Sequence, residues 1–142
     1  METILSLADF NALCKQLAKK VSVEQFDKII AIANGGIPVA EEVNKYLKLP
    51  LSSIYISFYD GKQKRDKPFI EGFVTSQYNE KLLIIDDLVD TGDTADYLTK
   101  QLKERSIKHL FACLYQKPHA KIKADFYIKE TTDWIVFPRE QS

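Results

Sequence analysis

The sequence predicts an α/β fold, a mainly parallel sheet flanked by helices. Two apolar runs, Lys28–Ala33 and residues 82–85, are short, unbroken and rich in branched side chains. Strands with no polar alternation suit a parallel sheet covered on both faces. Each run is followed by a small-residue turn and then by a helix-forming segment, which is the strand–helix order of such sheets.

At the N-terminus, Ser6 is a helix cap for residues 7–20, where Leu7, Phe10, Leu13, Cys14, Leu17 and Ala18 fall at helical spacing. Ser22 with Gln25 three residues on predicts the start of a short second helix. The strand Lys28–Ala33 then runs into Asn34-Gly35-Gly36-Ile37-Pro38, and Pro38 suits the first turn of a helix over residues 38–48. Paired glycines between a strand and a helix let the backbone approach a ligand, although a tight turn explains them equally well. Residues 51–58 form the next strand. Residues 59–71 read as a loop carrying Lys62, Lys64, Arg65 and Lys67, either a solvated tip or a lid. Residues 69–75 are a further strand candidate, in a hairpin with the segment before the loop.

Residues 81–94 organise the chain. After the strand come Asp86 and Asp87, then Asp90-Thr91-Gly92-Asp93-Thr94, then a helix over residues 95–103. Two carboxylates at a strand end need a polar cleft, because burying them unpaired is very costly. A small-residue loop opening into a helix N-terminus offers free N–H groups and the positive end of the helix dipole to an anion. The acid pair adds a place for sugar hydroxyls or a hydrated Mg2+. The pattern points to a phosphorylated, hydroxyl-bearing, metal-associated ligand. A Walker A loop is excluded, since no Gly-Lys-Ser/Thr ending is present. Beyond it, residues 108–115 predict a strand ending at Gln116-Lys117-Pro118, residues 125–128 a short extended piece, and residues 132–138 a tail with the single Trp, Trp134. Read alone, Lys117 is a surface lysine and Trp134 a core aromatic.

Composition bounds the rest. At 142 residues the chain is one domain's worth and buries roughly 70% of its unfolded surface. Lys plus Arg and Asp plus Glu are 20 each, which gives no global basic field for nucleic acid. Cys14 and Cys113 stand far apart with no metal spacing, as expected of reduced thiols in a cytoplasmic protein. Neither a leader nor a membrane span is visible.

An apolar strand, two acids, two mostly apolar residues, Asp-Thr-Gly, any residue and Thr is the pattern of residues 82–94. It resembles the motif by which type I phosphoribosyltransferases bind 5-phosphoribosyl 1-diphosphate (PRPP). Ile29 to Ile32 into Gly35-Gly36, residues 56–60, Lys117-Pro118 and Trp134-Ile135 extend the resemblance to the family's xanthine-guanine branch along most of the chain. The resemblance implies a type I phosphoribosyltransferase-like fold in a single domain, residues 1–142, with a core at about 22–116 and a small hood at about 117–142. The N-terminal segment is a candidate addition to that hood.

The resemblance also implies roles: PRPP contacts from Asn34, Gly35, Gly36, Asp86, Asp87, Thr91, Gly92, Asp93 and Thr94, with Mg2+ at Asp86 and Asp87. Asp90 becomes a proton relay near purine N7, Lys62, Lys64, Arg65 and Lys67 a lid, and Lys117, Trp134 and Ile135 the base contacts. The implied substrates are PRPP and a 6-oxopurine: xanthine, guanine or hypoxanthine. A homo-oligomer, dimer or tetramer, is left open. Cys113 and His119 match nothing functional. Two departures stand out. Asn34 occupies a position that usually carries a cation, and Asp93 puts a carboxylate into the phosphate loop. They keep two alternatives in view: a non-catalytic PRPP or nucleotide sensor of the same fold, and a phosphoribosyltransferase for another base.

Overall fold

The computed structural model describes residues 1–140. Strands β2 (Lys28–Ala33), β3 (Leu51–Asp60), β4 (Gln63–Glu71), β5 (Lys81–Ile85) and β7 (Lys108–Ala112) form one sheet in the order β4-β3-β2-β5-β7. All neighbours are parallel except β3 and β4. This is the α/β fold read from the sequence. Because strand side chains alternate, the two central strands feed two cores. Ile29, Ala31, Leu83 and Ile85 pack with helices α1 (Leu7–Val21) and α2 (Gly36–Leu47). Ile30, Ile32, Leu82 and Ile84 pack with Ala95, Leu98 and Leu102 of α3 (Asp93–Glu104). Burying each such large side chain contributes about 1.5–3 kcal/mol, which explains why no polar residue interrupts residues 29–33 or 82–85.

Ser6 caps α1, its Oγ accepting from the Asp9 N–H at 3.1 Å. The helix predicted to start at Ser22 does not form. Ser22 instead ends α1: its N–H and its Oγ both donate to the Ala18 carbonyl, at 3.1 and 2.6 Å. Residues 23–27 then lead directly into β2. Helix α2 begins at Gly36, so Pro38 lies in the first turn, where its missing N–H is no loss.

The loop predicted over residues 59–71 is a hairpin. Strand β3 continues to Asp60, Gly61 turns the chain with φ 63°, and β4 pairs back with Tyr59 opposite Lys64 and Asp60 opposite Gln63. Of the strand predicted over residues 69–75, residues 69–71 are the last three of β4, and residues 72–75 lie outside any strand. Lysines and Pro68 disguise β4, as they often do on edge strands, where they prevent further pairing.

The strand predicted over residues 108–115 is broken at Cys113. Leu114 and Tyr115 turn their N–H groups to the Asp87 carbonyl, both at 3.2 Å, and leave the main sheet. Tyr115–Gln116 (β8) joins Leu88–Val89 (β6) and Lys129–Glu130 (β9) in a small three-stranded sheet. Of the extended piece at residues 125–128, Phe126 makes a single bridge to Ala112. At the C-terminal end Trp134–Val136 (β10) pairs in parallel with Glu2–Ile4 (β1), and Pro138–Glu140 closes as a 3-10 turn. Among the described residues, no helix is long and apolar enough to cross a membrane.

Candidate active site

Parallel pairing of β2 and β5 brings their carboxyl ends to one edge of the sheet. The turn after β2 and the acid pair after β5 therefore meet. A Cβ on Gly35 would fall 2.3 Å from Asp87 Oδ2, and one on Gly36 would fall 2.5 Å from the Ile85 carbonyl oxygen. Neither position has room for a side chain, so the tight-turn explanation of the glycines is incomplete: here they admit the acidic strand end.

A cavity of about 220 Å3 opens at this edge, walled by Ser57, Tyr59, Asp86, Asp90 and the stretch from Thr91 to Ala95. Its floor is the start of α3. Gly92 caps that helix with φ 91°, and Thr91 Oγ1 accepts from the Asp93 N–H at 3.2 Å. The first-turn N–H groups and the helix dipole favour an anion there. Asp86 faces the cavity. Burial first, and then the charge of Asp87 beside it, pushes its carboxyl well above the usual carboxylate range. Its Oδ1 accepts from the Asp87 N–H at 2.8 Å. Asp87 Oδ2 in turn lies 3.2 Å from the Arg139 guanidinium.

Asp93 does not point its charge at the anion position unmatched. Lys121 and Lys64 stand 2.7 and 2.8 Å from its two oxygens. Their hydrogen bonds, Lys121 foremost, lower its pKa to about 2. Asn34 lines a neighbouring recess of about 410 Å3 with Tyr55, Ser57, Tyr59 and Arg65. The Nε of Arg65 is buried there without a hydrogen-bond partner among the described residues. Lys67 faces an outer groove between the hairpin and α3, and Lys62 is exposed at the hairpin turn.

The residues named for the base are less gathered. Asp90 lines the cavity and pairs with His119, Nε2 to Oδ1 3.2 Å. Lys117 is no surface lysine: it is 7% exposed, its N–H donates to Val89 O at 2.9 Å, and its Nζ donates to the Asp133 carbonyl. It stands behind Val89, outside the cavity lining. Trp134 is no core aromatic, being 62% exposed on β10, while Ile135 is packed in the α1–α2 core. Neither lines the cavity. Burial raises the thiols of Cys14, to about 12, and of Cys113, so neither is a nucleophile at neutral pH.

The phosphoribosyl transferase domain matches residues 1–141. The chain belongs to the phosphoribosyltransferase family. A xanthine-guanine phosphoribosyltransferase of Idiomarina loihiensis is 31% identical over 142 aligned residues, covering 96% of this chain and 86% of its relative. One of Desulfotalea psychrophila is 36% identical over 134, covering 92% and 78%. The crystal structure of a purine phosphoribosyltransferase from Pyrococcus horikoshii superimposes with a TM-score of 0.87 at 30% identity, covering 99% of this chain and 95% of that one.

Within this phosphoribosyltransferase, three residues at the site escaped sequence reasoning: Arg139 on Asp87, His119 on Asp90, and Lys121 on Asp93. Each reaches its partner by a return of the chain, and none has a local pattern that would mark it.

Proposed function

We propose that this chain transfers the 5-phosphoribosyl group of PRPP to a 6-oxopurine, releasing pyrophosphate. The observation that carries the reading is the cavity walled by Asp86, Asp90 and the stretch from Thr91 to Ala95 and floored by the start of α3; Gly35 and Gly36 press on the same strand end from outside that cavity. In the reaction a purine nitrogen bonds C1', the C1'–oxygen bond to pyrophosphate breaks, and the purine gives up one proton. The N–H groups around Thr91 to Thr94 hold the 5'-phosphate, and Asp86 and Asp87 take the ribose hydroxyls. Asp90 takes the purine proton, as a carboxylate on the cavity wall suits. The protein's work is to hold two reactants together and to exclude water.

Two adjacent carboxylates, one of them strained by burial beside the other, suit a divalent cation. No cluster of three or more acidic, His or Cys ligands exists among the described residues. The pair therefore fits Mg2+ that keeps water and phosphate ligands. Such an ion supplies positive charge to the pyrophosphate oxygens.

Lys62, Lys64, Arg65 and Lys67 belong to a hairpin arm that covers PRPP. Arg65, across the recess from Asn34, supplies the cation that Asn34 lacks. Arg65→Gln should weaken pyrophosphate binding by about 1.5–3 kcal/mol, the worth of one charge-assisted hydrogen bond. Isothermal titration with pyrophosphate checks it, and unchanged affinity would remove Arg65 from the site.

For the base, Lys117 has donors alone, so it donates to a 6-oxo group and has nothing to offer the 6-amino group of adenine. Trp134 supplies a ring face and Ile135 a backbone carbonyl for a 2-amino group, which requires the C-terminal segment to move onto the cavity. A steady-state assay with five bases, PRPP and Mg2+ tests the reading. Guanine, xanthine or hypoxanthine should be used roughly 10- to 100-fold better than adenine. Lys117→Met, which keeps the buried stem, should erode that preference; equal use of adenine by the wild-type protein would refute it. Asn34 also favours a second reading, a PRPP or nucleotide sensor. That protein would bind PRPP and release no pyrophosphate with any base.

A further inference from the structure

Asp93 is the residue of the phosphate loop that charge alone would exclude, and it is also the most heavily tied. It is the first residue of α3, 12% exposed at its side chain, and two distant chain segments meet on it. From the hairpin arm comes Lys64 of β4, 2.8 Å from Oδ2. From the segment after β8 comes Lys121, 2.7 Å from Oδ1. Lys121 is further fixed to the loop itself. Its N–H donates to the Thr91 carbonyl at 2.9 Å, and a Cβ on Gly92 would lie 3.3 Å from its Cγ. Both lysine side chains stay more than half exposed, at 55% and 54%. The neighbouring Asp96 lies 3.7 Å from Lys121 and is paired more closely by Lys100, at 3.1 Å. Three ammonium groups, Lys64, Lys100 and Lys121, thus stand against two carboxylates, Asp93 and Asp96, at the start of α3.

We propose that Asp93 is a positioning residue that clasps the β3–β4 arm to the phosphate loop and holds Lys64 and Lys121 as a cationic rim for a phosphomonoester. The clasp rests on the reading of residues 91–94 as the phosphate loop. A small residue at this position would leave two long, solvated lysine stems to disperse by mutual repulsion, and the arm would have no ionic tie to α3. With the carboxylate present, the loop carries its own charge compensation, and ligand occupancy and arm position become linked. The carboxylate stays ionised down to about pH 2, so the clasp is not released by protonation near neutrality. Salt does release it, because both lysines are exposed and the Debye length falls to roughly 3 Å at 1 M.

Hydrogen exchange of the ligand-free protein, paired with titration of ribose 5-phosphate, tests this. Asp93→Asn keeps the shape of the side chain and removes its charge. Amides of the arm should exchange about five-fold faster, as expected for the one partly exposed ion pair that ties the arm to α3. Lys64→Met, made from the other side of the contact, should reproduce the effect, and 1 M salt should bring the wild-type arm close to the variant. Ribose 5-phosphate should bind Asp93→Asn several-fold more weakly. Unchanged exchange in the arm overturns the clasp. Equal or tighter binding by Asp93→Asn overturns the rim, because it would mean that the carboxylate merely repels the phosphate. If the wild-type protein bound no ribose 5-phosphate, the phosphate reading of the loop and the rim with it would fall, while the exchange measurement would still decide the clasp.

Discussion

Replacing Asp86 and Asp87 together by Asn should lower PRPP turnover about 10³-fold or more, without loss of stability. The two halves of that expectation have the same cause. Asp86 is desolvated and stands next to a second carboxylate, and both effects raise its pKa well above the ordinary value. A carboxyl whose pKa is higher folded than unfolded holds more protons in the folded state. Stability then falls as pH rises from the unfolded pKa, about 3.9, through the folded value, and the ionised form carries that cost at neutral pH. Asn removes the cost along with the charge. The ordering of Arg139 on Asp87 opposes this in part, because the double variant removes the carboxylate 3.2 Å from that guanidinium, which keeps its contact with Glu140. That group is partly exposed, so water replaces much of what it loses. Urea melts at pH 7 should place the variant at or above the wild-type midpoint, and a pyrophosphate-release assay should show the loss of turnover. Near-normal turnover would refute the sugar and metal assignment. A large fall in the midpoint would refute the claim that the pair is strained.

The same pair shows how far the fold could be read in advance. Residues 28–33 and 82–85 announce themselves because both faces of each strand are buried, so no polar residue interrupts them. The motif from Asp86 to Thr94 is legible because a strand end, a loop and a helix start are consecutive in the chain. Strand β4 is not legible. It sits at the sheet edge, its residues are mostly exposed, and its lysines and Pro68 look like a loop. Ser22 misleads because a helix-ending serine and a helix-starting one look alike when the next strand begins soon after. Arg139, His119 and Lys121 lie 52, 29 and 28 positions from the acids they meet, beyond the reach of any local pattern. Asp93 is the instructive case. From sequence it is an extra negative charge, and the two lysines that reverse its meaning come from elements on either side of the phosphate loop.

Gly36→Ala should cost both turnover and stability, and it tests the meeting of β2's turn with β5 more directly than any charged residue. A Cβ at this position would sit 2.5 Å from the Ile85 carbonyl oxygen and 3.1 Å from the Asp86 Cα. Both are backbone atoms of the buried central strand and its end, so no side-chain rotation relieves the clash. Alanine has a counter-effect: as a helix former it gains up to about 1 kcal/mol over glycine in a helix interior. Gly36 is the first helical residue, where that gain is smallest, and overpacking costs about 1–3 kcal/mol. The clash wins, and the start of α2 moves away from β5 by something on the order of 0.5–1 Å. That shift separates Asn34 and Gly35 from Asp86 and Asp87, and a displacement of ~1 Å in a site of this kind can cost about 100-fold in rate. Gly72→Ala is the control. Gly72 has φ 88°, and a Cβ there would meet Ser53 O at an ordinary 3.6 Å. It should lose about 1–2 kcal/mol to the left-handed backbone and leave turnover unchanged. Unfolding midpoints and kcat/KM for PRPP measured on both variants separate the cases. Full activity in Gly36→Ala would mean that the glycine turn does not have to press against the acid pair for PRPP to react.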